Sequence, residues 1–173
     1  MSNWHGILKI DEITHIRDGQ VVSQDRNLTN MLHTLGEQFL LKCAFAKGTA
    51  DTPPLNYYFG LDGRSTLAFA DTVATLSGVE PTSGGYARQA VSAESGFTFE
   101  TTGTGPAIYR ATCSVVTFSA TGNYGLTVKN LFMATNAIAG QGILVASVPL
   151  TSALNLVSGD SINVKMSVQL HDV

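Results

Sequence analysis

Charged side chains are scarce in this sequence: they make up 13% of its 173 residues, against about 25% in ordinary soluble domains. With a net charge of −3 and no basic cluster, it lacks the positive footprint that phosphate binding needs, which excludes nucleic acid as a partner. Cysteine is limited to Cys43 and Cys113. They lie far apart with no metal-type spacing, and read as buried thiols ahead of a single disulfide. No apolar run reaches the roughly 18 residues of a membrane span. The opening MSNWHGILKIDEITHIRDG lacks the basic start and continuous apolar stretch of a secretion signal, so the expectation is a soluble chain with no membrane partner. Internal repeats and low-complexity stretches are absent as well.

Groups that trade protons or attack are equally sparse. His5, His15, His33 and His171 have no second histidine or carboxylate at a metal-ligand spacing, and each reads as an ordinary surface or boundary residue. Gly103-Thr104-Gly105 lacks the third glycine of a dinucleotide loop and the lysine of a phosphate loop, and Pro106 follows, so it reads as a turn. No Gly-x-Ser-x-Gly elbow occurs. Asp62, Asp71, Glu80 and Glu94 share one loop-rich region where paired carboxylates could assemble, but three of the four sit beside turn-type residues. The expectation is a non-enzyme with no catalytic residue, no cofactor and no metal. Asn27-Leu28-Thr29 matches a glycosylation sequon but reads as a helix cap.

What is present is apolar material in short runs. Hydrophobic residues are 44% of the chain, and a domain of this length buries roughly 70% of its unfolded surface, enough for one self-sufficient core. Residues 7–26 read as a hairpin turning at Asp18-Gly19. Over 27–46, Leu28, Met31, Leu32, Leu35, Phe39, Leu40 and Cys43 recur at three- and four-residue steps, the stripe of a helix capped by Asn27 or Thr29. Gly36, with the capping-box spacing of Thr34 and Glu37, offers two shorter helices instead. Beyond Pro53-Pro54 the text is β. Strands are predicted at 57–61, 86–91, 96–101, 108–118, 126–134 and 143–148, and at 162–170, where apolar and polar residues alternate strictly. Turns fall at Gly84-Gly85, 103–106, Gly122-Asn123, 140–142 and 158–160. The predicted fold is mostly β: a single domain over 1–173, an antiparallel β-sandwich or jelly roll (49–173) with an N-terminal hairpin and helical segment (1–48).

So few charges leave part of the surface to Ser, Thr, Asn, Gly and apolar groups, a composition that suits contact with neighbours. The charges are also uneven: residues 91–173 hold only Arg110, Lys129 and Lys165 against Glu94, Glu100, Asp160 and Asp172. Candidate partner-binding residues are Trp4, the single tryptophan, and Tyr57 and Tyr58, because in Tyr57-Tyr58-Phe59 at least one ring must face away from the core. Tyr57, Tyr58, Tyr109 and Tyr124 could together form a stacking platform for a host glycan.

Three stretches stand out in order: Tyr58-Phe59-Gly60-Leu61-Asp62-Gly63-Arg64, Glu80-Pro81 through Gly85-Tyr86-Ala87-Arg88-Gln89, and Leu156-Val157-Ser158-Gly159-Asp160 leading into the last strand. Together they resemble small bacteriophage virion structural proteins, of the capsid decoration or tail-associated kind. The resemblance implies a chain made in the host cytoplasm and carried in the virion. It also implies that Tyr86 and Arg88 are structural, on a core strand. Without repeats or a coiled-coil shaft, a capsid cement or decoration protein on the capsid surface is favoured. Its partners would be the major capsid protein and copies of itself, as dimer or trimer. The alternative is a tail, baseplate or fibre-attachment component, or a carbohydrate-binding module.

Overall fold

The computed structural model describes residues 4–45, 52–102 and 108–172. The strands are β1 (Trp4–Arg17), β2 (Gln20–Thr29), β3 (Met31–Leu32), β4 (Asn56–Asp62), β5 (Gln89–Ser92), β6 (Phe97–Thr102), β7 (Ile108–Cys113), β8 (Val116–Ser119), β9 (Val128–Ala134), β10 (Leu144–Leu154) and β11 (Ser161–Asp172); a helix, α1, spans Thr34–Phe45. They form two antiparallel sheets packed face to face. One runs β2-β1-β11-β7-β6, with β8 also on β11, and the other runs β3-β10-β9-β4-β5. This is the predicted sandwich.

The core lies between the sheets. Ile10, Ile13, Cys113, Val116, Phe118, Ile162, Val164 and Met166 meet Phe59, Leu61, Val91, Leu131, Met133, Ala146 and Val148, with Phe39 of α1 joining them. A strand alternates its faces strictly, so inward residues three apart need an extra residue between them. Pairing of β1 with β11 shifts between Ile10 and Glu12, which lets both Ile10 and Ile13 face inward. The shift between Leu144 and Ala146 on β10 does the same for Val145 and Ala146. The predicted strand 108–118 breaks at Ser114 and Val115, which are exposed. Its halves pair with β11 in registers one residue apart, so that Cys113 and Val116 both point inward.

The hairpin turns at Asp18-Gly19 as predicted, both residues at positive φ (50° and 74°). β1 then pairs along most of its length with β11, which sets the hairpin within the sheet. The helix differs from expectation. Residues 27–29 end β2 and Met31–Leu32 form β3, Asn27 sits in β2 at φ 55°, and no cap forms there. Leu28 and Leu32 both pack on the core because the chain crosses from one sheet to the other between them; that crossing mimics helical spacing. α1 begins at Thr34, whose hydroxyl donates to Phe69 O (3.2 Å) instead of closing a capping box with Glu37. Gly36 does not divide the helix. It lies against the backbone of Val145, where a β-carbon would collide. The turn expected at 103–106 lies outside the described residues.

Outside the second sheet, residues 63–88 fold across its outer face. Val73 and Leu76, in a 3-10 turn, cover Phe132, Ala134 and Leu144 in a second, smaller core. No described helix is long and apolar enough to cross a membrane.

Candidate functional site

The three stretches singled out in the sequence each build one buried polar cluster. In the first, Arg64 clasps Asp62 through Nη2 (2.7 Å) and Nε (3.0 Å), reaches Asp71 with Nη1 (2.9 Å), and donates to Ser147 Oγ (2.8 Å). Asn130 Nδ2 donates to Asp62 Oδ1 and to Arg64 O, both at 2.8 Å. His33 completes the set: Nδ1 lies 3.0 Å from Ala68 O and Nε2 2.8 Å from Ser147 Oγ. The carbonyl can only accept, so Nδ1 carries the proton and Nε2 accepts from the serine hydroxyl. Burial holds His33 below its usual imidazole range, and the nearby Arg64 charge acts in the same direction. A serine bonded to a histidine is the start of an activated nucleophile, but His33 and Ser147 are 0% and 1% exposed, and Arg64 occupies the serine oxygen. The circuit is closed on itself.

In the second cluster, Arg88 meets Glu80 side-on, Nε to Oε1 and Nη2 to Oε2, both at 2.8 Å. Its Nη1 donates to Asn136 O (2.8 Å), and the guanidinium lies 5.0 Å from the centre of the Phe132 ring. Tyr86 Oη donates to Glu80 Oε1 (2.8 Å) and accepts from Leu61 N (2.9 Å). Its ring packs on Phe118 and Tyr124. Burial, then the Glu80 charge, pushes this phenol far above its ordinary range. Tyr86 and Arg88 are therefore structural, although β5 starts only at Gln89 and both sit in the preceding loop. A cleft of about 520 Å³ opens beside the pair, walled in part by Gly78, Ala137 and Gly140.

In the third, Asp160 accepts from Arg17 Nε (2.8 Å) and Nη2 (2.7 Å) and from Val157 N (3.1 Å), with His15 Nε2 at 3.2 Å. The Arg17 hydrogen bonds hold its carboxyl well below the usual carboxylate range. His15 and His33 are thus buried and not at the surface or boundary, a correction to the sequence reading. Their partners Asp160 and Ser147 are more than a hundred residues away in sequence, beyond any local pattern. The carboxylates do not form a catalytic pair either. Asp62 and Asp71 share Arg64, Glu80 belongs to Arg88, and Glu94 lies exposed in the turn before β6.

The candidate partner-binding residues separate. Trp4 opens β1 opposite Asp172; its side chain lies outside the described residues. Tyr57 and Tyr58 are both half-buried and point to opposite faces of β4. Tyr58 lies opposite Ala134 on the outer face. Tyr57 points between the sheets and meets Phe97 of β6 edge to face, centroids 6.3 Å apart. Tyr124 is buried in the core at 1% exposure, so the four-tyrosine platform does not form. Sequence reasoning missed the residues flanking the Tyr57–Phe97 contact. Phe99 shares the face of Phe97 by strand alternation, Leu55 immediately precedes β4, and the two are 79% and 87% exposed. An apolar strip therefore runs along the open edge of the sandwich. Cys43 and Cys113 are not joined by a disulfide; Cys113 is buried, which raises its thiol pKa, and it accepts from Met166 N (3.3 Å).

These features define a class: a two-sheet module with several of its charges tied up in buried clusters and apolar side chains exposed at its open edge, the build of a structural protein. The family model described as podophage GP4 fiber I protein gp80 matches residues 31–169, most of the chain including all three clustered stretches, and the chain belongs to that family. It is a bacteriophage virion structural protein. No curated protein and no solved structure matches it.

Proposed function

We propose that this chain is a tail or fibre component of the virion that binds other virion proteins and carries out no catalytic step. The observation that carries the reading is the family match, whose description is of a fibre protein and which takes in most of the chain. It supports a tail or fibre position ahead of the capsid-cement role, which shares the compartment but has no comparable support. The geometry fits a binding module. Asp62, Asp71 and Glu80 are each held by an arginine, while Leu55, Tyr57, Phe97 and Phe99 present apolar surface suited to the centre of a protein contact. The test is electron microscopy of intact particles labelled with an antibody against this chain. Label on the tail or its fibres is the expected result. Label repeating over the capsid lattice would overturn it in favour of the cement role.

A further inference from the structure

We propose that two copies of this chain pair antiparallel through β6, joining their first sheets into one continuous sheet with Phe99 at the two-fold axis. The inference does not depend on where in the virion the protein sits. β6 ends its sheet: it pairs with β7 on one side, and among the described residues no strand lies on the other. A bare strand edge invites pairing, and proteins that stay apart blunt such edges by shortness, charge, proline, bulges or cover. The other edges carry such devices. β3, β5 and β8 have two, four and four residues. β2 has a register shift, bears Asp25 and Arg26, and sends Asp25 to Thr151 N (2.9 Å). β6 is longer than β3 or β5 and carries no bulge. Its pairing with β7 is unbroken from Phe97 to Thr102, and it contains neither proline nor lysine. Its single charge, Glu100, lies on the outer face in the grip of Arg110 (2.9 Å) and Thr112 (3.1 Å).

The residue pattern selects a second copy as the occupant. In a two-fold antiparallel pair, residues directly opposite each other share a face. With the axis at Phe99, that ring meets its counterpart, Phe97 lies opposite Thr101, and Thr98 lies opposite Glu100, whose carboxylate can accept from the threonine hydroxyl. Moving the axis to Glu100 would set two carboxylates against each other; moving it to Thr98 would leave the end of β6 unpaired. Phe99 is both the centre of the self-complementary register and one of the most exposed apolar side chains in the described structure.

The experiment is sedimentation velocity on the full chain over a range of concentrations, comparing wild type with Phe99→Lys, and oxidative cross-linking of Phe99→Cys with Val21→Cys as the control on the opposite edge. Wild type is expected at twice the 18.3 kDa chain mass. Phe99→Lys should weaken the dimer by roughly tenfold or more, since an aromatic pair is lost at the axis. Its thermal unfolding should match the monomer's, because the side chain is exposed. Opposed α-carbons in such a pair lie about 4.5 to 5.5 Å apart, within disulfide reach, so Phe99→Cys should give a covalent dimer and Val21→Cys should not. A monomeric wild type, an oligomer of any other size, a mass unchanged by Phe99→Lys, or equal cross-linking at Val21 would each overturn the proposal.

Discussion

Replacing Arg88 by methionine should be among the most destabilising single changes in the molecule. The side chain is 1% exposed and faces Glu80 at 9%. Methionine fills a similar volume but supplies none of the two bonds to Glu80, the bond to Asn136 O or the contact with the Phe132 ring. Glu80 is then left nearly buried, with Tyr86 Oη as its remaining side-chain donor. Removing one partner of a buried ion pair costs about 3 to 5 kcal/mol, mostly through the charge left behind. In a domain of this size each kcal/mol moves the unfolding midpoint by about 2 to 4 °C, so Arg88→Met should lower it by roughly 10 °C. The decisive comparison is the double variant Glu80→Leu with Arg88→Met. If the stranded charge is the cause, removing Glu80 as well should recover part of the loss, and the double variant should unfold above Arg88→Met in a calorimetric scan. A midpoint within about 2 °C of wild type for Arg88→Met, or a double variant whose loss equals the sum of the two singles, would refute the reasoning.

Asp160→Asn should lower the thermal midpoint at pH 7, because an amide NH₂ must face Arg17, Val157 N or His15 where an oxygen now accepts. Since the folded carboxyl lies below its unfolded value of about 3.9, its stabilisation is complete above that pH and fades as pH falls through the folded value. The gap between wild type and Asp160→Asn should therefore narrow below about pH 4, and a gap that stays constant down to pH 2 would contradict this. His33 predicts a slope in another window. Its folded pKa lies below about 6.5, so the unfolded chain binds more protons and wild-type stability falls as pH drops from 7 to 5; His33→Gln should flatten that slope in urea titrations. Gly60→Ala puts a β-carbon into the Phe132 ring, which overpacks the outer core by about 1 to 3 kcal/mol; denaturant unfolding with no change in midpoint would show that the ring can move aside.

Much of the sandwich was legible because one buried face prints a period of two onto a strand. The last strand, with Ile162, Val164, Met166 and Val168 on one side, is the clearest case, and Asp18-Gly19 announced its own turn. What misled was any place where the chain changes sheet or gains a residue. Leu28 to Leu32 looked helical because β2 and β3 belong to different sheets, and 108–118 looked continuous because a one-residue insertion leaves its composition untouched. The polar clusters were half visible. Glu80, Tyr86 and Arg88 fall within one of the three stretches that carry the resemblance, but their neighbour Phe132 and the distant members His33, Asn130 and Ser147 carry no local signal, since only the fold brings them to Arg64. The exposed strip was missed for a similar reason. Phe99 reads like any strand phenylalanine until the sheet order shows that β6 is an edge.

The clusters also change what the scarcity of charge means. Composition alone suggests a thin coat of surface charges, whereas Asp62, Arg64, Glu80, Arg88 and Asp160 are all buried. Each of these ions ties together segments distant in sequence: Arg64 the outer loop to β10, Arg88 the start of β5 to the loop after β9, Asp160 the final turn to β1. Buried ion pairs contribute little net stability compared with apolar packing, but they penalise misplacement of a long loop heavily, because a shifted loop would strand a charge. A structural protein repeated in an assembly gains from that, since its contact surfaces must present one shape. The same arrangement removes charge from the exterior, so the surface is even less repulsive toward neighbouring proteins than the sequence suggests. The open edge carrying Leu55, Tyr57, Phe97 and Phe99 is where both effects coincide, with a rigid scaffold behind it and Glu100, the one charge on β6, held against Arg110 on the other face.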